Sequence, residues 1–175
     1  MGRHGRIIAL LAAGALVGGI SAPAQAQQKK DYLSEIEADK IRDAETATLR
    51  VHLFLSFAAD RLHKLEYERG RTSRDRQWVE RMNGLLNAYS GCVDDAADIL
   101  QGALEKQENL RSAIKEMQSK TKEFRVALEK LAAEGPERER YKDALDDALQ
   151  ATAEAAATAE KVAKEAPAPP ERRKP

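Results

Sequence analysis

Cysteine, histidine and aromatic residues are all scarce in this chain. Its 175 residues include one cysteine, three histidines and only 5% aromatic residues. A single cysteine, Cys92, cannot form an intramolecular disulfide, so packing must stabilise the fold unless two copies cross-link. His4, His52 and His63 do not occur in His-Glu-x-x-His or Glu-x-x-His spacing, which are common patterns of metal ligands on helices. We therefore predict no metal site and no cofactor.

Catalytic motifs are missing as well. The sequence has no glycine-rich phosphate loop, no nucleophile elbow and no Ser-His-Asp arrangement. Acidic residues cluster at Asp94-Asp95, Asp98 and Asp146-Asp147. A catalytic carboxylate pair needs a pocket, which nothing in the sequence predicts, so we interpret these clusters as solvated helix faces. The protein is predicted not to be an enzyme.

The first 26 residues have the layout of a cleavable secretory signal. Arg3 and Arg6 precede an uncharged apolar run over residues 7–20, and Ala24-Gln25-Ala26 supplies the small residues of a cleavage site. The run is shorter than the roughly 20 residues that a membrane span needs. We expect cleavage after Ala26 and a periplasmic or secreted location, with no transmembrane segment in the mature chain.

The charge of the mature chain is nearly balanced. Removal of residues 1–26 takes away two of the 29 basic residues and none of the 29 acidic ones, which leaves a net charge of about −2. A dedicated nucleic-acid binder would show a strong basic excess. We therefore expect protein partners or self-association rather than nucleic acid.

Two short helices are predicted at the start of the mature chain. Ser34 and Glu37 have the spacing of a capping box, which predicts a helix over about 35–45. Thr46 and Thr48 are both suitable caps for a second helix, which we place over 47–69 and which ends at Gly70. The second helix is apolar over a wide arc, which favours more than one packing partner.

A heptad-like series follows and predicts one long central helix over about 73–134. Its intervals alternate three and four, and no Gly or Pro interrupts the series between 103 and 134, as in a coiled coil. A continuous helix of this length would extend roughly 90 Å. The alternative is a break near 105–109, which would give a compact four-helix bundle. The series consists of Val79, Met82, Leu86, Tyr89, Val93, Ala96, Leu100, Ala103, Gln107, Leu110, Ile114, Met117, Thr121, Phe124, Leu128 and Leu131.

The expected architecture is an all-α, elongated antiparallel bundle that continues into a coiled-coil hairpin. The apolar stripe is wide before residue 105 and narrow after it, so we assign 35–105 to a bundle half and 106–165 to a hairpin half. Gly135-Pro136 ends the long helix and begins the last one, over 137–165. Residues 166–175 form a basic, proline-rich tail that we expect to be disordered.

One candidate site is a possible anion patch at the turn after Gly70. Its arginines are Arg69, Arg71, Arg74 and Arg76. Guanidinium groups bind phosphate and carboxylate groups well, so this patch, with the basic tail, could make weak contact with an anionic envelope surface. The simpler interpretation is a solvated turn in which Glu66, Glu68 and Asp75 balance the charge.

Cys92 is a second candidate, as a free or cross-linking thiol. A free cysteine is more often a small buried hydrophobe. No second cysteine could resolve a sulfenic acid, and no basic residue adjoins Cys92 in the sequence to lower its pKa. We favour the structural interpretation.

Two stretches, residues 37–44 and 86–97, resemble segments of uncharacterised exported helical proteins of bacteria. The first reads Glu-Ala-Asp-Lys-Ile-Arg-Asp-Ala, and the second contains Tyr89-Ser90-Gly91-Cys92. No function is known for these proteins. The resemblance therefore implies a helical fold and export, but no site residue.

These observations favour a non-enzymatic envelope protein that acts through helical surfaces, as a scaffold, spacer or partner-binding module. The alternative is a periplasmic chaperone-like or stress-associated binder of unfolded protein or lipid, because the helix over 47–69 could leave an apolar groove open. Leu53 and Phe57 distinguish the two hypotheses. Burial under the first helix favours the scaffold, and exposure favours the binder.

Overall fold

The structure, a computed structural model, describes residues 32–133 and 136–166, and within them it is all-α as predicted. The predicted signal segment, residues 1–26, and the predicted tail beyond 166 lie outside the described residues. The helices are α1 Glu35–Asp43, α2 Ala47–Gly70, α3 Trp78–Glu105, α4 Arg111–Ala132 and α5 Lys142–Glu165, with a short 3₁₀ helix at Pro136–Arg140.

The first two helices begin where their caps predict. The Ser34 hydroxyl accepts a hydrogen bond from the Glu37 amide at 3.3 Å, and the Glu37 carboxylate accepts one from the Ser34 amide at 2.9 Å. The Thr46 hydroxyl accepts from the Leu49 amide at 3.2 Å. These bonds satisfy amides that have no partner within their own helix, which fixes both starting points.

The prediction of one continuous helix over 73–134 is wrong, because α3 ends at Glu105 and α4 begins at Arg111. Gln107 adopts a left-handed backbone with φ of 58°. The Gln107 amide donates to the Leu104 carbonyl at 2.9 Å, and the Glu108 amide donates to the Ala103 carbonyl at 3.1 Å. This pair of bonds is the Schellman ending of a helix, which usually uses glycine at the left-handed position.

The break lets α4 and α5 fold back onto α2 and α3. Each helix now extends at most about 42 Å at 1.5 Å per residue, and the four form a ring in the order α2, α3, α5, α4. Helices α2 and α4 run parallel, since His52 meets Glu116 at 2.7 Å near their starts and Leu65 lies with Leu128 near their ends. The structure thus adopts the compact bundle that the broken helix implies, in place of the elongated form.

All four long helices share one apolar core. At its centre the Tyr89 hydroxyl meets the Thr152 hydroxyl at 2.6 Å, and the Tyr89 ring packs edge-to-face on Phe124 with centroids 5.6 Å apart. Tyr89 therefore joins α3 to both α5 and α4. This core includes residues from both 35–105 and 106–165.

Helix α5 packs on α3 as well as on its expected partner α4. Its buried residues are mostly small, and they include Ala148, Ala151, Ala155 and Ala159. Small side chains let neighbouring backbones approach closely. This stripe allows α5 to fit between two helices at once.

Candidate functional site

Ion pairs occupy most of the arginine-rich turn over residues 71–77. Arg71 lies 3.3 Å from the Glu68 carboxylate, and Arg81 lies 3.0 Å from both Glu68 and Asp75. Hydrogen bonds from Arg81 hold the pKa values of Glu68 and Asp75 below their ordinary range. These carboxylates compensate much of the positive charge that predicted an anion patch.

The other three arginines of the predicted patch, Arg69, Arg74 and Arg76, have different surroundings. Arg74 pairs with Glu137 of the 3₁₀ helix and lies over the Trp78 ring, with the guanidinium carbon 4.4 Å from the ring centroid. Arg69 lines a narrow slot between α2 and α4, and Arg76 is exposed. The turn does not bring the four guanidinium groups together around one point.

Trp78 holds this turn in place, and the sequence analysis did not single it out. Its ring is buried, its Nε1–H donates to the Glu68 carbonyl at 3.0 Å, and it packs edge-to-face on Tyr141 at 5.9 Å. The residue thereby connects the end of α2, the start of α3 and the segment before α5. Trp78 is the one tryptophan of the chain, and this was the feature of the sequence that could have indicated its role.

A buried arginine forms a second polar site at the N-terminal end of the described chain. We name residues 32–44 the strap, because they cross the surface of α2 before the bundle begins. Arg61 of α2 is only 6% exposed, and its Nη1 and Nη2 donate to the two Glu37 carboxylate oxygens at 2.5 and 2.7 Å. Arg61 Nη2 also donates to the Tyr32 carbonyl at 3.2 Å. Two charge-assisted bonds in parallel give this contact a defined geometry.

The Arg61 guanidinium lowers the pKa of Glu37 to about 2, mainly through its side-chain hydrogen bonds. Partial burial acts in the opposite direction, because removal from water disfavours the charged carboxylate. Glu37 is therefore ionised at every physiological pH. The charge of Glu37 therefore does not change near neutral pH.

The Tyr32 ring lies directly on Gly91 of α3. A Cβ atom added at Gly91 would lie 2.7 Å from Cε1 of Tyr32, closer than real Cβ contacts allow. Glycine at this position thus admits the ring against the helix backbone. The strap contacts α2 through Glu37 and α3 through Tyr32.

Cys92, the other predicted site residue, is fully buried beside this contact. No basic residue lies next to Cys92 in the sequence. In the fold, however, Arg61 of α2 lies within electrostatic range of Cys92. Cys92 therefore lies close to both Arg61 and Gly91, the two residues that contact the strap. The sequence alone could not reveal this neighbourhood, because Arg61 and Cys92 lie on different helices and far apart in the chain.

The remaining polar candidates lie apart from the strap. His52 pairs with Glu116, and His63 is exposed on α2. The pKa of Asp94 is raised by desolvation and by the nearby Glu154 and Asp98. Within residues 32–133 and 136–166, no group of three or more His, Cys, Asp or Glu side chains is arranged to hold a metal ion.

No protein-family model, curated protein or solved structure matches this chain. The resemblance of residues 37–44 and 86–97 to exported bacterial helical proteins therefore stays a prediction. In the described part of the chain, no helix is both long enough and apolar enough to cross a membrane.

Proposed function

We propose that this chain is an exported, non-enzymatic envelope protein that acts through its helical surfaces as a scaffold, spacer or partner-binding module. Cleavage after Ala26 would release it into the periplasm or the exterior. The proposal is supported most directly by the covered surface of α2. Phe57 is only 7% exposed, Leu53 is half-buried, and α1 packs on the same face of α2 through the Glu37–Arg61 pair.

The covered surface favours the scaffold over the chaperone-like binder. A binder of unfolded chains needs an open apolar groove, and large exposed apolar patches are uncommon in proteins that lack such a function. The large exposed apolar side chains among the described residues are Ile36, Leu49, Tyr67 and Val126. They are distributed over three helices rather than gathered into one groove.

A photo-crosslinking experiment in living cells tests the proposal. A photoreactive amino acid is placed at Tyr67 or Val126, the most exposed apolar positions on α2 and α4. We expect a discrete cross-linked species in the envelope fraction from at least one of them. Leu145, which is fully buried, is the control position and should give no intermolecular product.

The outcomes separate the parts of the proposal. Recovery of an uncleaved chain in the cytoplasm would contradict export. Uniform absence of cross-links at exposed positions would contradict a role through helical surfaces. Suppression of the aggregation of an unfolded client by the purified mature protein would support the chaperone-like alternative instead.

A further inference from the structure

The strap is attached to the bundle through few, localised contacts. None of the residues of α1 is buried, although Glu37, Ala38 and Ile41 are half-buried. The polar attachment is the Arg61–Glu37 pair, which is bidentate, with the added bond from Arg61 to the Tyr32 carbonyl. The apolar attachment includes the Tyr32 ring on Gly91. Elements with few buried apolar contacts open at lower free energy than a packed core.

The docked strap also leaves one polar group unsatisfied. The Tyr32 hydroxyl is buried, and it has no hydrogen-bond partner among the described residues. A buried hydroxyl without a partner loses its bonds to water and gains none in return, which makes the docked state less favourable. Opening the strap returns this hydroxyl to water.

The surface under the strap differs from the rest of the bundle exterior. Leu53 and Phe57 lie on the same face of α2 as Arg61, because the three residues are spaced four apart, and Arg61 on this face binds Glu37 of α1. Cys92 follows the anchor Gly91 in α3 and lies within electrostatic range of the anchor Arg61. Elsewhere the outward positions of α2 and α3 are mainly charged or polar. The strap therefore lies along the apolar face of α2 and close to the chain's one thiol.

We propose that the strap is a releasable cover, which opens as a unit while the four-helix bundle stays folded and thereby controls access to the apolar surface of α2 and to Cys92. The hinge consists of the last residue of the strap, Ala44, and the two residues that follow it, and Ala44 and Thr46 have extended backbones between the two helices. This inference does not rest on the proposed function, because it concerns an opening equilibrium within the isolated chain.

Alkylation of Cys92 in the purified mature protein, with glycine variants of α3, tests the cover. Gly91→Ala places a methyl group against the Tyr32 ring and should displace the strap. Gly84→Ala is the matched control, because nothing lies within 4 Å of its added Cβ. Both changes favour the helix, so the control should raise the thermal midpoint by about 2–4 °C.

We expect Gly91→Ala to increase the rate of Cys92 alkylation by a neutral maleimide at least about tenfold, since the rate follows the population of the open strap. The circular dichroism of the bundle should be unchanged. Gly84→Ala should leave the alkylation rate at the wild-type value or lower it. Equal rates in the two variants would overturn the proposal.

A second pair of variants changes residues of the strap instead of α3. This pair keeps the test valid if Gly91→Ala fails to fold. Glu37→Gln removes the charge that pairs with Arg61, and Glu35→Gln removes an exposed charge from the same helical turn. Only Glu37→Gln should accelerate alkylation. If acceleration appears only together with a matching loss of the bundle's thermal midpoint, Cys92 is exposed by global unfolding and the releasable cover is wrong.

Discussion

The strap and the four-helix bundle are stabilised by different kinds of contact. In the bundle, fully buried apolar side chains such as Leu86, Leu100 and Leu145 interlock from helices that lie far apart in the sequence. In the strap, the attachment consists of a bidentate ion pair, one aromatic ring on a glycine, and the partly buried side chains of Leu33 and Ile41. The free energy gained by burying apolar surface grows with the area that a core buries. A few directional contacts, in contrast, fix the position of a segment without binding it strongly. The same chain therefore contains a firmly packed unit and a lightly attached one.

The largest effect should come from a cavity in the bundle. Leu145→Ala removes a side chain that is fully buried in α5 and should lower the free energy of unfolding by about 3 kcal/mol. Ile41→Ala in the strap, where the side chain is only half-buried, should cost about 1 kcal/mol or less. Urea denaturation monitored by circular dichroism measures both. Equal losses would show that the strap is part of the same cooperative core.

Acid should loosen the strap before it affects the bundle. The folded pKa of Glu37, about 2, lies below its ordinary value of 4.5, so the stabilisation is complete above pH 4.5 and is lost as the pH falls towards 2. Protection factors of the strap amides should drop by about tenfold or more between pH 5 and pH 3, since protonation removes the charge of the pair. Amide exchange of α1 and α3, each corrected for its intrinsic rate, makes this measurement.

The control for the acid prediction is Glu37→Gln, which carries no titrating group at the contact. Its strap protection should be low at pH 5 and should change little down to pH 3. A wild-type strap whose protection is constant over this range would contradict the role of the Arg61–Glu37 pair.

A smaller effect is expected at the polar centre of the bundle. Tyr89→Phe keeps the ring on Phe124 but removes the hydrogen bond to Thr152. Thr152 still donates to the Ala148 carbonyl at 2.7 Å, so it retains a partner. We expect a loss of about 1 kcal/mol in the free energy of unfolding, measured by urea denaturation, and a loss above 3 kcal/mol would disagree with this assignment.

The smallest predicted effect is a gain, at the break between α3 and α4. Gln107→Gly relieves a left-handed backbone at φ of 58° and should stabilise the protein by up to about 1 kcal/mol. Lys106→Gly is the matched control, because Lys106 has φ of −86° and glycine there should destabilise. If Gln107→Gly also destabilises the protein, the chain does not reverse at this residue.

The sequence predicted the elements better than their arrangement. The start of α1 followed from Ser34, the start of α2 from Thr46, which was one of two candidate caps, and the end of α2 from Gly70, because a cap is a local contact between residues a few positions apart. The end of α1 lies at Asp43, two residues before the predicted one. The start of α3 shifted from 73 to Trp78. Asp75 uses its carboxylate to accept from the Gln77 amide at 3.1 Å, which makes a turn where the sequence predicted a first helical turn.

The break at Gln107 escaped prediction for two physical reasons. A left-handed helix ending normally carries glycine or asparagine, and glutamine gives no such indication. Leu110 is buried beyond the turn, so the three-four spacing of apolar residues continues through a reversal of the chain. Periodicity reports which side of a helix is buried, but it does not report whether two periodic segments belong to one helix.

The strap contact was harder still to predict. The capping box that places Glu37 was recognised, yet the same carboxylate pairs with Arg61, which lies 24 positions away. Nothing local marks Arg61 as the one buried arginine of α2. Gly91 and Cys92 were visible as a pair, but the ring that covers Gly91 comes from Tyr32. Such contacts depend on the packing of α1 across α2, which the helix assignments leave open.

Hydrogen exchange of a chain that begins at residue 27, in sub-denaturing urea, tests most directly whether the strap and the bundle are separate cooperative units. We predict that the amides of residues 38–43 exchange through an opening of low free energy that depends weakly on urea, because little surface is exposed. The core amides of α2 to α5 should share a higher opening free energy with a steep urea dependence. A single free energy and a single slope for the strap and the bundle would contradict the account.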